Sequence, residues 1–311
     1  MEYLKIKNSD LIVSRLCMGG CPMGGYGWGN VRESELLEAV SEAISHGVTM
    51  FDTADIYGLG NSERILGEAL KDVRKSVIIA TKFGVRIKDG KTFYDNSPTY
   101  VEKACDESLK RLKTDYIDLY QIHYRDGVTP LEDVIEILEK LKKIGKIRYY
   151  GLSNIQLSDV NELNKYKKYF ISFQDEYSLA CRKNEEDIFK LAKNLELTPL
   201  TWGSLGQGIL TGKYDKDCQF SSDDRRSREI YVNFHGEKLV KNLEIVETLK
   251  EIAQEVNKPV SAVAIRFILD YISESVVLAG IKNPKQLKGN CKAFGWNLSQ
   301  KQIMQLEKIS R

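Results

Sequence analysis

The sequence predicts an α/β protein folded as a closed (β/α)8 barrel. Three observations support this. Eight short runs rich in Val, Ile and Tyr recur along the chain, each the length of a buried strand. Amphipathic stretches of helical length lie between most of them, and strands alternating with helices imply a parallel sheet. Eight such units in 311 residues fit a closed barrel better than an open sheet. The expectation is one domain over residues 1–311, with an N-terminal β-hairpin and extra helices.

The elements follow in order. Tyr3–Val13, with Asn8-Ser9-Asp10 at its centre, reads as a hairpin placed to cover the bottom of the barrel. Leu16–Met18 is the first strand. Gly19–Asn30 is then a glycine-rich loop holding Tyr26 and Trp28. Ser34–His46 carries Leu36, Leu37, Val40 and Ile44 at helical spacing, with Gly47 as its stop. Val48–Phe51 is the second strand, and Ser62 reads as the N-cap of SERILGEALK, with Glu63 in its first turn. Val77–Ala80 is the third strand. Pro98 and Thr99 lead into YVEKACDESLKRLK, ahead of the fourth strand, Ile117–Ile122. Pro130 introduces LEDVIEILEKLKKIG, which ends at Gly145. Ile147–Leu152, Phe170–Phe173 and Thr198–Thr201 are strands five to seven, with a helix at Glu185–Asn194 before the seventh. Asp215–Gly236 is polar and aperiodic, and long loops of this kind in compact domains are usually functional. Lys238–Val256 and Val260–Tyr271 are helices, Ser275–Ala279 is the eighth strand, and helices at Pro284–Ala293 and Ser299–Ser310 follow.

Composition excludes several classes of function. The 46 basic and 44 acidic residues nearly cancel, so bulk charge directs the chain to neither nucleic acid nor a membrane surface. No run approaches the ~18 apolar residues of a membrane span. The six cysteines are dispersed, which points to free thiols in a reducing cytoplasm. With only His46, His123 and His235, no metal site is expected. A phosphate-loop motif and a Gly-x-Gly-x-x-Gly turn opening a helix are both missing. No feature points to a particular oligomeric state.

In a barrel the C-terminal strand ends meet on one face, and that face carries the chemistry. Asp52, Lys82 and His123 each follow an apolar run, and Tyr57 lies on the turn beyond Asp52. These four form a plausible proton-transfer unit. Tyr57 would be the acid, and a nearby Lys82 ammonium would ease release of its proton. Asp52 would orient Lys82, and His123 would bond the substrate oxygen. Taken singly, each has a plain structural reading as ion pair, solvated histidine or packing tyrosine. Their conjunction on one face points to reduction of a carbonyl.

The segment FDTADIYGLGNSERILGEAL resembles the first signature of the aldo-keto reductases. IIATK, DYIDLYQIH, GKIRYYGLSN and LAGIKNPKQLKGN are similar to the family's lysine strand, histidine strand, Ser-Asn strand and late cofactor segment. The resemblance implies a cytoplasmic NAD(P)H-dependent oxidoreductase that reduces an aldehyde or ketone, a sugar or phosphorylated carbonyl among them. NADP(H) is the preferred cofactor and NAD(H) the alternative. It makes Asp52, Tyr57, Lys82 and His123 catalytic. It places Ser153, Asn154 and Gln174 on the nicotinamide carboxamide, and Trp202 against the ring. Gly203, Ser204, Leu205, Gly206 and Arg226 fall on the pyrophosphate side. Gly280, Lys282, Gln286 and Asn290 fall on the adenine side, with Lys282 as the candidate for a 2′-phosphate. The chain reads Gly203-Ser204-Leu205 where relatives typically read Ser-Pro-Leu, Gly289 where relatives often carry an acid, and Asn283 where NADPH-preferring relatives often carry Arg. The small carbonyl substrate is expected to meet Trp28, Tyr57, His123, Tyr124 and Arg125, the last facing an anionic group. The alternative implied by the family is a cofactor-binding regulatory subunit with little turnover, as in channel-associated relatives.

Overall fold

Residues 1–311 are described by a computed structural model. Two short antiparallel strands, β1 (Tyr3–Lys5) and β2 (Ile12–Ser14), precede the barrel. The chain then runs β3 (Leu16–Gly19), α1 (Glu33–Ser45), β4 (Met50–Asp52), α2 (Asn61–Leu70) and β5 (Ile78–Phe83). A second hairpin follows, β6 (Val85–Lys88) and β7 (Lys91–Tyr94), and then α3 (Pro98–Leu112) and β8 (Ile117–Ile122). Next come α4 (Leu131–Lys143), β9 (Ile147–Ser153), α5 (Val160–Tyr166), β10 (Phe170–Glu176), α6 (Glu185–Leu195) and β11 (Thr198–Trp202). The chain ends with α7 (Gly236–Glu255), α8 (Val260–Tyr271), β12 (Val276–Gly280), α9 (Pro284–Cys291) and α10 (Gln300–Ser310). Strands β3, β4, β5, β8, β9, β10, β11 and β12 pair in parallel and close into a barrel. The eight-stranded barrel and its N-terminal hairpin therefore stand as read from the sequence.

The pleat explains how the barrel is filled. Alternate residues point inward, so Cys17, Met50, Ala80, Leu119, Ile171 and Leu200 form one buried interior cluster. Ile6, Leu11 and Val13 of the hairpin belong to the same cluster. The hairpin thus plugs the barrel floor, and each buried Ile or Leu contributes roughly 1.5–3 kcal/mol to holding it there. A larger apolar layer of 66 residues separates the strands from the helices.

Three local readings need correction. Ser62 is not the N-cap: Gly60, at φ +93°, occupies that position, and Ser62 is buried inside α2. Its hydroxyl donates to the Gly20 carbonyl at 2.8 Å and accepts from Thr53 at 2.8 Å, so it ties the helix to two strand ends. Glu63 does lie in the first turn of α2, as read, and is buried there, accepting from Thr81 at 2.6 Å and Arg111 at 2.6 Å. The β6–β7 hairpin and helix α5 fall where no element was expected. Finally, the ladders run further than the apolar runs. Asp52, Lys82, Ser153, Gln174 and Trp202 lie within their strands, so rigid backbone positions them.

Candidate active site

The strand ends open into a cleft of about 1800 Å³. Small-ligand pockets span roughly 300–1,000 Å³, so this one has room for a dinucleotide and a substrate together.

At its floor Lys82 is fully buried. Its ammonium donates to Asp52 Oδ1 at 2.5 Å, to the Thr53 carbonyl at 2.9 Å and to the Tyr57 hydroxyl at 3.5 Å. The other Asp52 oxygen accepts from Gln121 Nε2 at 3.1 Å and Gln174 Nε2 at 3.0 Å. The Tyr57 and His123 rings meet edge-on at 5.8 Å. The structure thus brings the four predicted residues together.

Burial, reinforced by the neighbouring Cys21 thiol, pushes the Tyr57 phenol well above its ordinary value. The expectation that Lys82 would lower it is outweighed by burial, so Tyr57 is a protonated donor at neutral pH. His123 moves the opposite way. Burial, then the Lys82 charge, holds its imidazole well below the usual histidine range, so the ring is neutral. Its Nδ1 is buried with no protein partner.

The predicted carboxamide contacts form a ledge beside this floor. Asn154, at φ +54°, donates to the His123 carbonyl and the Ser153 hydroxyl, each at 3.0 Å. Ser153 donates to the Gln174 carbonyl at 3.1 Å. Gln174 serves two purposes, because its amide nitrogen is committed to Asp52 while its oxygen meets no protein donor. Trp202 lines the cleft beside them.

Further along, Gly203 and Gly206 adopt left-handed backbone at φ +68° and +54°. The Ser204 and Leu205 amides between them have no protein acceptor, which suits an anion. The Ser204 hydroxyl is spent on the Thr201 carbonyl at 2.9 Å, so only its amide is free. Gly206 is buried. Arg226 is clamped by Asp224 at 2.5 Å, donates to the Tyr214 hydroxyl and lies 4.4 Å above Phe220. Lys282 donates to the Trp28 carbonyl at 2.7 Å. Burial, with the charges of Arg226 and Lys213, holds the Lys282 ammonium below its ordinary value. Three crowded cations facing one carboxylate fit a phosphate group. Gln286 Oε1 accepts from the Lys282 amide at 2.8 Å, and Asn283 caps α9 by accepting from the Gln286 amide. Asn290 and Gly280 also line this end. These residues fit a phosphorylated dinucleotide.

On the substrate side Trp28 and Tyr124 line the cleft, and Tyr124 stacks on His123 at 5.2 Å. Arg125 does not line it: its guanidinium fork is spent on Glu162 of α5, at 2.5 and 3.1 Å. The expectation that Arg125 faces an anionic group is corrected accordingly. Sequence reading also missed Gln121, which was hidden inside the strand run IDLYQI, and Arg225 and Arg228 of the long loop.

A family model described as "Aldo/keto reductase family" matches residues 15–311. The chain is 34% identical over 302 residues to Aldo-keto reductase YhdN of Bacillus subtilis, covering 96% of this chain and 90% of that one. It is 28% identical over 315 residues to the NADH-specific methylglyoxal reductase of Escherichia coli, covering 96% and 95%. Among solved structures, the glycerol dehydrogenase AKR11B4 from Gluconobacter oxydans aligns with a TM-score of 0.88 at 31% identity, covering 99% of this chain and 94% of that one. No helix is long and apolar enough to cross a membrane.

Proposed function

Because this chain belongs to the aldo/keto reductase family, we propose that it reduces a small aldehyde or ketone, with NADPH as preferred reductant and Tyr57 as proton donor. The observation that carries this reading is the placement of the Lys82 ammonium between Asp52 and the Tyr57 hydroxyl, beside a neutral His123. When bound, the dihydronicotinamide supplies a hydride to the carbonyl carbon. Tyr57 gives its phenolic proton to the carbonyl oxygen, and the product is the alcohol. Lys82 stabilises the phenolate left behind, and Asp52 holds the Lys82 ammonium in place. The neutral His123 holds the carbonyl oxygen within reach of Tyr57. Trp202 and the ledge of Ser153, Asn154 and Gln174 orient the ring, so that hydride and proton reach one carbonyl from fixed directions.

The preference for NADPH rests on the cations around Lys282, where the charges of Arg226 and Lys213 bear on it. NADH remains the alternative, since a relative of comparable identity is named NADH-specific. The names methylglyoxal reductase and glycerol dehydrogenase support a small, polar carbonyl or its alcohol.

The test is steady-state oxidation of NADPH against a panel of small aldehydes. Wild type turns over, while Tyr57→Phe loses about 10²- to 10⁴-fold in kcat, the usual weight of a general acid, and still binds NADPH. Unchanged turnover in Tyr57→Phe defeats the proton-donor assignment. Tight NADPH binding without turnover on any aldehyde would favour the regulatory subunit instead.

A further inference from the structure

Resting on the reading that Tyr57 reduces a carbonyl, we propose that the substrate carries an anionic group, a carboxylate or phosphate, gripped by Arg225 and Arg228 at the mouth of the cleft. Four arginines line the cleft. Two are neutralised: Arg182 pairs with Glu185, and Arg226 with Asp224. Arg225 and Arg228 meet no carboxylate.

Both lean on the glycine-rich loop. Arg225 donates to the Tyr26 carbonyl at 3.0 Å and lies over the Tyr26 and Trp28 rings, at 5.3 and 5.2 Å. Arg228 donates to the Tyr26 hydroxyl at 3.3 Å. The Nε of Arg225 is buried and donates to nothing. That nitrogen is covered by Gly27, where an added Cβ would lie 2.8 Å from it, so the terminal nitrogens are the ones left for a ligand. The remaining N–H groups of the two forks suit a carboxylate or phosphate.

The glycine-rich loop reaches both ends of the cleft, since its Trp28 carbonyl also accepts from Lys282, and its contact with the Tyr57 turn is the one this proposal takes up. The loop they lean on packs directly on the turn that carries Tyr57, since a Cβ at Gly24 would lie 2.6 Å from the Gly58 nitrogen. The cofactor phosphates have their own cations in Lys282 and Lys213, beside the paired Arg226. The Tyr26 and Trp28 rings under Arg225 hold that guanidinium beside the cleft.

The probes are 4-carboxybenzaldehyde and its uncharged methyl ester, assayed with NADPH on wild type, Arg228→Ala, Arg228→Lys and Arg225→Met. Wild type should favour the acid over the ester in kcat/KM by about tenfold or more, as expected for hydrogen bonds to a charged group. Arg228→Ala and Arg225→Met should bring that ratio towards one, chiefly through KM for the acid, and Arg228→Lys should restore part of it. Raising ionic strength from about 0.01 M to about 1 M, which shortens screening from about 30 Å to about 3 Å, should erode it in wild type. The proposal fails if wild type shows no preference for the acid. It also fails if the variants lose equally on both probes while NADPH binding by fluorescence loosens, because the arginines would then only latch the loop. No turnover of either probe, or of any other aldehyde, defeats the reductase reading and this proposal with it. Turnover without charge preference defeats this proposal alone.

Discussion

The floor of the cleft and its rim treat charge in opposite ways. At the floor, Lys82, Asp52, Gln121 and Gln174 answer one another, and both Asp52 oxygens have donors. At the rim, Lys282 and Lys213 crowd an Arg226 that Asp224 already answers, and Arg225 and Arg228 have no counter-ion. A buried ion pair that loses one member leaves an uncompensated charge, whereas a rim cation that is lost relieves repulsion. The floor is finished before any ligand arrives, and the rim is left to be finished by one. On the proposed reading, catalytic geometry depends on the fold, and binding depends on anions from outside.

The largest test of this contrast is Lys82→Met. The side chain is fully buried and its removal strands Asp52. Stability should fall by about 3–5 kcal/mol, the usual result of breaking a buried pair from one side. Activity should fall with it, as the Tyr57 hydroxyl loses its nearest cation. Urea unfolding of the apo protein measures the first effect and NADPH oxidation the second. A stable but inactive variant would mean that the floor is less tightly coupled than its hydrogen bonds indicate.

At the rim, Lys282→Ala should leave apo stability within about 1 kcal/mol of wild type, because the lost bond to the Trp28 carbonyl is offset by relief of charge crowding. KM for NADPH should rise about tenfold and KM for NADH much less, matching the loss of one charge-assisted contact to a 2′-phosphate. Equal changes for both cofactors would place Lys282 away from that phosphate.

The same contrast explains what could be read in advance. The floor was legible because barrel strands deliver their last residues to one face, and Asp52, Lys82 and His123 each follow an apolar run. Gln121 was also within reach. It lies two residues before His123 and two after Leu119, so the pleat sends all three inward. A polar residue in a buried strand was the sign, and the apolar character of the run masked it. The hairpin β6–β7 had a sign too, since Asp89-Gly90 sits between VRIK and KTFY. The rim was less legible for a physical reason. Arg125 is neutralised by Glu162, 37 residues away on a short helix whose docking no local pattern encodes. Arg225 and Arg228 owe their setting to Tyr26, about 200 residues earlier. Charges on loops acquire their roles only from tertiary partners.

One carboxyl near the floor breaks the rule that floor charges are answered, and its effect should be the smallest of those considered. Asp55 accepts from the Tyr100 hydroxyl at 3.0 Å through one oxygen, while the other is buried without a donor. Burial, with the nearby Glu63 charge, raises its pKa from 3.8 to about 7. In the unfolded chain the group titrates near about 3.9. Between about pH 4 and pH 7 the native state thus keeps a proton that the unfolded chain has released. Whatever Asp55 contributes to stability is present below that window and is lost as pH rises through it. Asparagine cannot ionise and can still accept from Tyr100. Asp55→Asn should therefore be more stable than wild type at pH 8, by on the order of 1 kcal/mol once partial solvation of the site is allowed for. The advantage should shrink at pH 5. Thermal unfolding of both proteins at the two pH values measures the difference. An advantage independent of pH would mean that the carboxyl is already ionised at pH 5, and that Asp55 is answered like its neighbours.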